Sequence, residues 1–246
     1  MEVVKIKGIV INEKPYGETS KILFIITKEF GVISVLSKGC KRLKNKLRNC
    51  SSIFCYANFD IVYKENKLSI LVDGEILNNF NNIKKDIEKL SYLNFITDLT
   101  NGVVKQNDDK RIFDIFLSAI LKINDGFDSL VITNILEVKY LSFLGVSPKL
   151  DGCVICGNKN VVSLSSYKGG FVCINHLDND YIVSSKTIKL IRMLLYVDIS
   201  KITKLDVSNE VKNEINNFLN DYYDRYTGLY LKSKKFLKKI NNLQNS

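Results

Sequence analysis

The run VVKIKGIVINEKPYGETSKILFIITKEFGVISVLSKG, Val3 to Gly39, decides how the chain begins. Three short stretches in it, 3–13, 20–29 and 31–39, are dominated by Val, Ile and Phe. Turn formers separate them: Pro15-Tyr16-Gly17, then Phe30-Gly31, then Gly39. Apolar, β-branched runs bounded by Gly and Pro read as strands. No helical spacing lies between them, so they join as hairpins. Two more runs follow, SIFCYANFDIVYK at 52–64 and KLSILVDGEIL at 67–77, parted by Glu65-Asn66. Five short strands favour a closed sheet, because closure removes unpaired edge N–H and C=O groups. The expectation is a small antiparallel barrel over residues 1–79. Within its fourth strand, Ile53, Cys55, Ala57, Phe59 and Ile61 form a core-like face. Phe54, Tyr56, Asn58 and Asp60 form the other.

After Asn78 the apolar period changes from two to three and four. Ile83, Ile87, Leu90, Leu93 and Phe95-Ile96 make one stripe, and Phe113, Phe116, Leu117, Ile120 and Leu121 another. Such stripes predict amphipathic helices packed together, here over 81–106, 109–124 and 128–145. Gly145 and Pro148 end the third, as a C-terminal Gly with a following Pro does. Helical spacing returns at 184–199, 207–225 and 229–242. The chain is therefore α+β, with a barrel followed by a helical unit over 80–246.

Between these helices, at about 150–180, lies CVICGNKNVVSLSSYKGGFVCINH. Cys153 and Cys156 stand two residues apart, and Cys173 and His176 repeat the spacing. A pair on a tight turn aims both donors at one point, and a second pair completes the tetrahedron that structural zinc takes. Gly157 suits the first turn, and Gly169-Gly170 suits a hairpin leading to the second pair. His176 is the sole histidine of the chain. With four protein ligands no position is left open for a catalytic water, so the zinc is expected to be structural. Cys40, Cys50 and Cys55 have no ligand spacing.

Lys and Arg total 36 against 26 Asp and Glu, a formal net charge of +10. Such a balance suits a polyanionic partner. The charge concentrates at 38–48, where Lys38, Lys41, Arg42, Lys44, Lys46 and Arg48 occur with no acidic residue between them. A loop of this kind binds phosphates independently of sequence, through counterion release. Tyr56, read as exposed, is a candidate to stack a base.

Other classes are disfavoured. No run approaches the roughly 18 apolar residues of a membrane-spanning helix. The N-terminus lacks the pattern of a secretory signal, so a cytoplasmic protein is expected, with its cysteines reduced. A magnesium nuclease needs clustered carboxylates, and Asp60, Asp73 and Glu75 read more simply as charge pairing on strands. With His176 taken by the metal, no histidine remains as a general base. A binding protein rather than an enzyme is expected.

The stretch from Gly8 to Arg48, with Gly8, Tyr16-Gly17-Glu18, Thr27, Glu29, Gly31 and Lys38-Gly39 ahead of the basic residues, resembles the N-terminus of the RecO family of bacterial DNA repair proteins. LSFLGVSPKLDGCVICG and GGFVCINH resemble its zinc module in order and spacing. The likeness covers nearly the whole chain up to about residue 180. One departure is His176, where relatives carry a cysteine. The resemblance implies an OB-fold barrel, a helical domain and a zinc module. It implies binding of single- and double-stranded DNA and annealing of complementary strands. It also implies work with RecR in helping RecA onto DNA coated by single-strand DNA-binding protein, whose acidic tail would sit on the helices. The implied location is the nucleoid. The alternative for the same parts is an RNA-binding zinc protein of translation or transcription.

Overall fold

The computed structural model describes residues 2–244, apart from the side chains of 238, 239 and 241–244. The N-terminal strands are β1 (Val3–Tyr16), β2 (Ser20–Thr27), β3 (Gly31–Ser37), β4 (Tyr56–Val62) and β5 (Ser69–Asn78). They close in the order β1-β2-β3-β5-β4, with Ile6 opposite Phe59 where β4 returns to β1. Ile6, Leu23, Ile25, Val35, Phe59, Ile61 and Leu71 fill the interior.

Two expectations are corrected here. The barrel is not wholly antiparallel: β3 and β5 run parallel through Val35–Ser69 and Leu36–Ile70. A closed ring with an odd number of strands cannot alternate direction all the way round. The one parallel pair falls where the chain makes its long crossing from β3 to β4. Second, β4 starts only at Tyr56, and residues 51–54 are turns. Phe54 is left-handed, at φ 59°, and its amide donates to the Val10 carbonyl at 2.8 Å. That conformation ends the strand short of Phe54, which packs buried in the helical core, the same core that half-buried Tyr56 packs against.

The helices are α1 (Asn81–Lys84), α2 (Ile87–Val104), α3 (Arg111–Asn124), α4 (Ser129–Phe143), α5 (Ser185–Tyr196), α6 (Asn209–Tyr226) and α7 (Lys232–Gln244). The helix expected over 81–106 is two. Asp86 is extended, and its carboxylate accepts from the amides of Glu88 and Lys89 at 3.0 and 3.2 Å. Such an N-cap is worth about 1 kcal/mol and starts a new helix. α4 lies at the centre, with Ile132, Ile135, Leu136, Val138 and Leu141 fully buried. Glu137 is buried among them, and burial pushes its carboxyl up to about 8, so it is held largely protonated at neutral pH. A short hairpin, β6 (Ser163–Ser165) and β7 (Gly170–Val172), stands between α4 and α5. No described helix is long and apolar enough to cross a membrane.

A candidate metal centre and a candidate nucleic-acid interface

The hairpin positions the four metal-ligand candidates. Cys153 and Cys156 flank a turn closed by the Gly157 amide on the Cys153 carbonyl at 2.8 Å. Gly157 sits at φ +74°, which an L side chain would strain. The Val154 amide donates to the Phe171 carbonyl at 2.8 Å, which pins this turn to β7. Cys173 directly follows β7, and a short 3-10 turn (Ile174–His176) folds the imidazole back toward it.

The donors converge. His176 Nδ1 lies 3.3 Å from Cys173 Sγ and 3.7 Å from Cys153 Sγ. Cys156 Sγ lies 3.7 Å from Cys173 Sγ. All four ligand atoms fall within 4.8 Å of one another. Zinc–sulfur bonds of about 2.3 Å and zinc–nitrogen bonds of about 2.0–2.1 Å give tetrahedral edges of about 3.6–3.8 Å. The group could therefore hold a metal ion of that size, and its donor set fits zinc. Burial works against ionising Cys153, but the backbone amides of Cys156, Cys173 and Ile155 more than offset it and hold this thiol well below the usual range. A metal takes the thiolate.

The segment is tied to the helices beside it. Arg192 of α5 lies over the Phe171 ring at 4.8 Å and donates from Nε to the Leu150 carbonyl at 2.9 Å. Tyr226 of α6 donates to the Tyr167 carbonyl at 3.1 Å. Lys168 donates to the His176 carbonyl at 2.7 Å and pairs with Asp178 and Asp180.

The basic loop is built differently. Lys38, Lys41, Arg42, Lys44, Lys46 and Arg48 are all exposed, while Cys40, Leu47 and Cys50 are buried in the barrel core. Gly39 adopts φ +66° at the loop's start, where its amide donates to Ser20 Oγ at 3.0 Å. The Lys41 amide donates to the Thr19 carbonyl at 2.9 Å. Asn45 donates to the Lys38 carbonyl at 3.2 Å and accepts from the Leu47 amide at 2.8 Å. Ser37 and Ser51 share a buried hydroxyl contact at 2.8 Å. The backbone is fastened, and the cations point to solvent.

Lys46 pairs with Asp73 at 2.8 Å, and that hydrogen bond lowers the Asp73 carboxyl. The other five cations have no carboxylate partner among the described residues. Of the carboxylates read as charge pairing, Asp60 lies 4.0 Å from Lys5 and Glu75 accepts from Asn58 at 3.0 Å.

Tyr56 is a correction. It stands opposite Ile9 on the barrel's outer face and packs, half-buried, against the helical core. Burial raises its phenol. It is therefore half-buried where the strand pattern suggested an exposed ring. In its place, residues remote in sequence gather at the loop's base. Lys21 and Lys84 join Lys41 and Arg48 around a cleft of about 530 Å³. Lys84 is half-buried, and burial lowers its ammonium. Lys21 lies in a strand and Lys84 ends a helix, so no local pattern marks either; only the topology brings them together.

The comparisons with known proteins agree across the chain. Residues 1–80 match the family model described as Recombination protein O N terminal. Residues 84–235 match Recombination protein O C terminal. A DNA repair protein RecO of Halalkalibacterium halodurans is 33% identical over 97% of this chain and 96% of its own length. Those of Bacillus pumilus and Bacillus subtilis are 34% and 30% identical, each over 98% of this chain and 96% of the relative. The barrel, the basic loop, helices α2 to α6 and the cysteine pairs all fall inside the spans of the two family models, and the chain belongs to the RecO family of DNA repair proteins.

Proposed function

We propose that the chain is a DNA-binding recombination mediator without turnover chemistry. It anneals complementary strands and helps RecA load on DNA coated by single-strand DNA-binding protein. The observation that carries the reading is the basic loop: five cations with no carboxylate partner among the described residues, on a braced backbone, in a member of a DNA repair family. Neutralising phosphates there lowers the repulsion between two strands brought together. RecR and the acidic tail of single-strand DNA-binding protein are the protein partners in this reading, RecA an indirect one, and the location is the cytoplasm, at the nucleoid. The chain divides into a barrel, 1–79, and a helical unit, 80–246, with the metal module at about 150–180. The metal is a structural Zn2+ on Cys153, Cys156, Cys173 and His176. DNA contact falls to Lys38, Lys41, Arg42, Lys44, Lys46 and Arg48.

The test is annealing of complementary oligonucleotides coated with single-strand DNA-binding protein. Acceleration is expected. No acceleration, a nicked product, or a preference for RNA would each overturn the reading. A companion variant reverses charge at Lys41, Arg42 and Lys44. Loss of three phosphate contacts lowers the slope of log affinity against log salt by about 2.7. Affinity at low salt falls by about a hundredfold. An unchanged slope would remove the loop from the interface.

A further inference from the structure

The four metal-ligand candidates are unequally covered. Cys153 and Cys173 are fully buried, and His176 is half-buried. Cys156 is exposed, within an exposed run over 155–160. The other three cysteines, Cys40, Cys50 and Cys55, are at most 2% exposed. Of the six sulfurs in the chain, solvent therefore meets that of Cys156 first. Its neighbour inside the site is Cys173, whose Sγ lies 3.7 Å away, in van der Waals contact. The Cys153 sulfur is held from within, by the backbone amides of Cys156, Cys173 and Ile155.

The backbone around Cys156 leaves its side chain free to turn. The turn is closed by short-range bonds. The Gly157 amide donates to the Cys153 carbonyl and the Cys153 amide to the Asn158 carbonyl, both at 2.8 Å. The Lys159 ammonium donates to the Asp151 carbonyl at 2.9 Å. The ties to α5 and α6 are made elsewhere, at Leu150, Phe171 and Tyr167. A rotation that swings the Cys156 sulfur onto Cys173 breaks none of these bonds.

We propose that Cys156 is a site of oxidation by hydroperoxides, that Cys173 resolves it to a disulfide, and that this bond releases the zinc. The inference rests on the zinc reading above and adds a reversible modification to that site. Susceptibility of a thiolate to oxidation follows its exposure. In the first step the Cys156 thiolate attacks one oxygen of the peroxide. A sulfur–oxygen bond forms, the oxygen–oxygen bond breaks, and the departing hydroxide takes a proton from solvent to become water. Sulfur is oxidised by two electrons to a sulfenic acid, and the peroxide is reduced by two. In the second step the Cys173 thiolate attacks the sulfenic sulfur. The disulfide forms, the sulfur–oxygen bond breaks, and hydroxide again leaves as water. Cys153 and His176 are then the donors that remain, and two are too few for a structural zinc, which takes four. A dithiol reductant returns both thiolates by exchange, so the site can be reloaded.

The experiment uses the wild-type full chain, purified with zinc, and hydrogen peroxide as the oxidant. Zinc set free is followed with a chromogenic chelator. Dimedone traps the sulfenic acid, and peptide mapping without reductant locates the disulfide. The expected result is about one zinc released per disulfide formed, dimedone on Cys156 before any other cysteine, and a Cys156–Cys173 crosslink. Dithiothreitol followed by zinc is expected to restore the metal content. A second arm removes the exposed thiol with Cys156→His, which keeps a nitrogen donor in its place. If that variant holds zinc, its zinc is expected to survive a peroxide dose that empties the wild type, and equal release would overturn the role of Cys156. Zinc retained by oxidised wild type, or first labelling at Cys153, Cys173 or a barrel cysteine, would overturn the proposal and leave the zinc reading standing. A Cys153–Cys156 disulfide would overturn the role of Cys173. Untreated protein without zinc would overturn the zinc reading itself, and the proposal with it.

Discussion

Two irregular segments of this chain each contain three cysteines, and they fold by opposite means. In 38–55, Cys40, Cys50 and Cys55 are buried in the barrel core with Leu47. Burial raises the thiol of Cys50 and pushes that of Cys55 up to about 12. There the sulfurs serve as small apolar side chains, and the loop is held because Cys40, Leu47 and Cys50 belong to a core. In 153–176 the sulfurs converge on a histidine instead, and the thiol of Cys153 is lowered. That segment has little core of its own: Ile155 and Ile174, one inside each ligand pair, are 57% and 59% exposed. The difference teaches that spacing, not residue type, decides whether cysteine packs or ligates. Two residues between donors on a turn makes a ligand pair; nine, from Cys40 to Cys50, does not.

The sharpest break in this comparison is metal removal. Structural zinc sites in small modules contribute on the order of 10 kcal/mol of binding free energy that is also folding free energy. Chelation, or Cys156→Ser, is therefore expected to unfold 150–180 locally while the barrel keeps its structure. Hydrogen exchange read segment by segment checks this: amides of 153–176 lose protection and those of β1–β5 do not. Metal analysis of the purified protein gives the complementary result, about one zinc per chain in the wild type. A metal content near zero in protein made with zinc present would sink the metal half of the comparison.

The core-held loop is broken by a different kind of change. Leu47 is 6% exposed and packs into the barrel, whereas Leu43, four residues earlier, is 84% exposed. Leu47→Ala is expected to destabilise the protein by about 2–4 kcal/mol, since a buried Leu-to-Ala change loses both transfer free energy and packing. Leu43→Ala is expected to stay within about 0.5 kcal/mol. Denaturant unfolding of both variants measures the gap. Equal effects would mean that the loop is not anchored through Leu47.

Much of this was legible from residues alone, and the failures have physical causes. The metal-ligand candidates could be read because a pair two apart on a turn is a local pattern, and the structure brings the same four together. The five strands were legible for the same reason. The parallel β3–β5 contact escaped a reading of local hairpins, although closing an odd number of strands demands one. The break at Asp86 hid within an apolar stripe that runs through it, because a capping carboxylate interrupts the backbone and not the periodicity. Tyr56 was misplaced because alternation along a strand names two faces and cannot say which one a later helix will cover. The meeting of Lys21 and Lys84 depends on chain segments that come together only after the barrel closes.

The finest test separates the packed cysteines from one another. The Cys50 thiol donates to the Leu47 carbonyl at 3.3 Å, so serine at that position keeps an acceptor at hand. Among the described residues, no hydrogen bond reaches the Cys55 sulfur, and Cys55 is fully buried. Serine there buries a hydroxyl with nothing to bond, which costs about 1–3 kcal/mol. Cys55→Ser is accordingly expected to lower the unfolding free energy by about 2 kcal/mol, and Cys50→Ser by less than about 1. Bound zinc should be the same in both variants as in the wild type, because neither sulfur belongs to the ligand set. Denaturant midpoints together with metal content settle the matter. Loss of zinc in either variant would show that the first three cysteines are not merely packed, and the contrast between the two segments would have to be redrawn around a second metal contact.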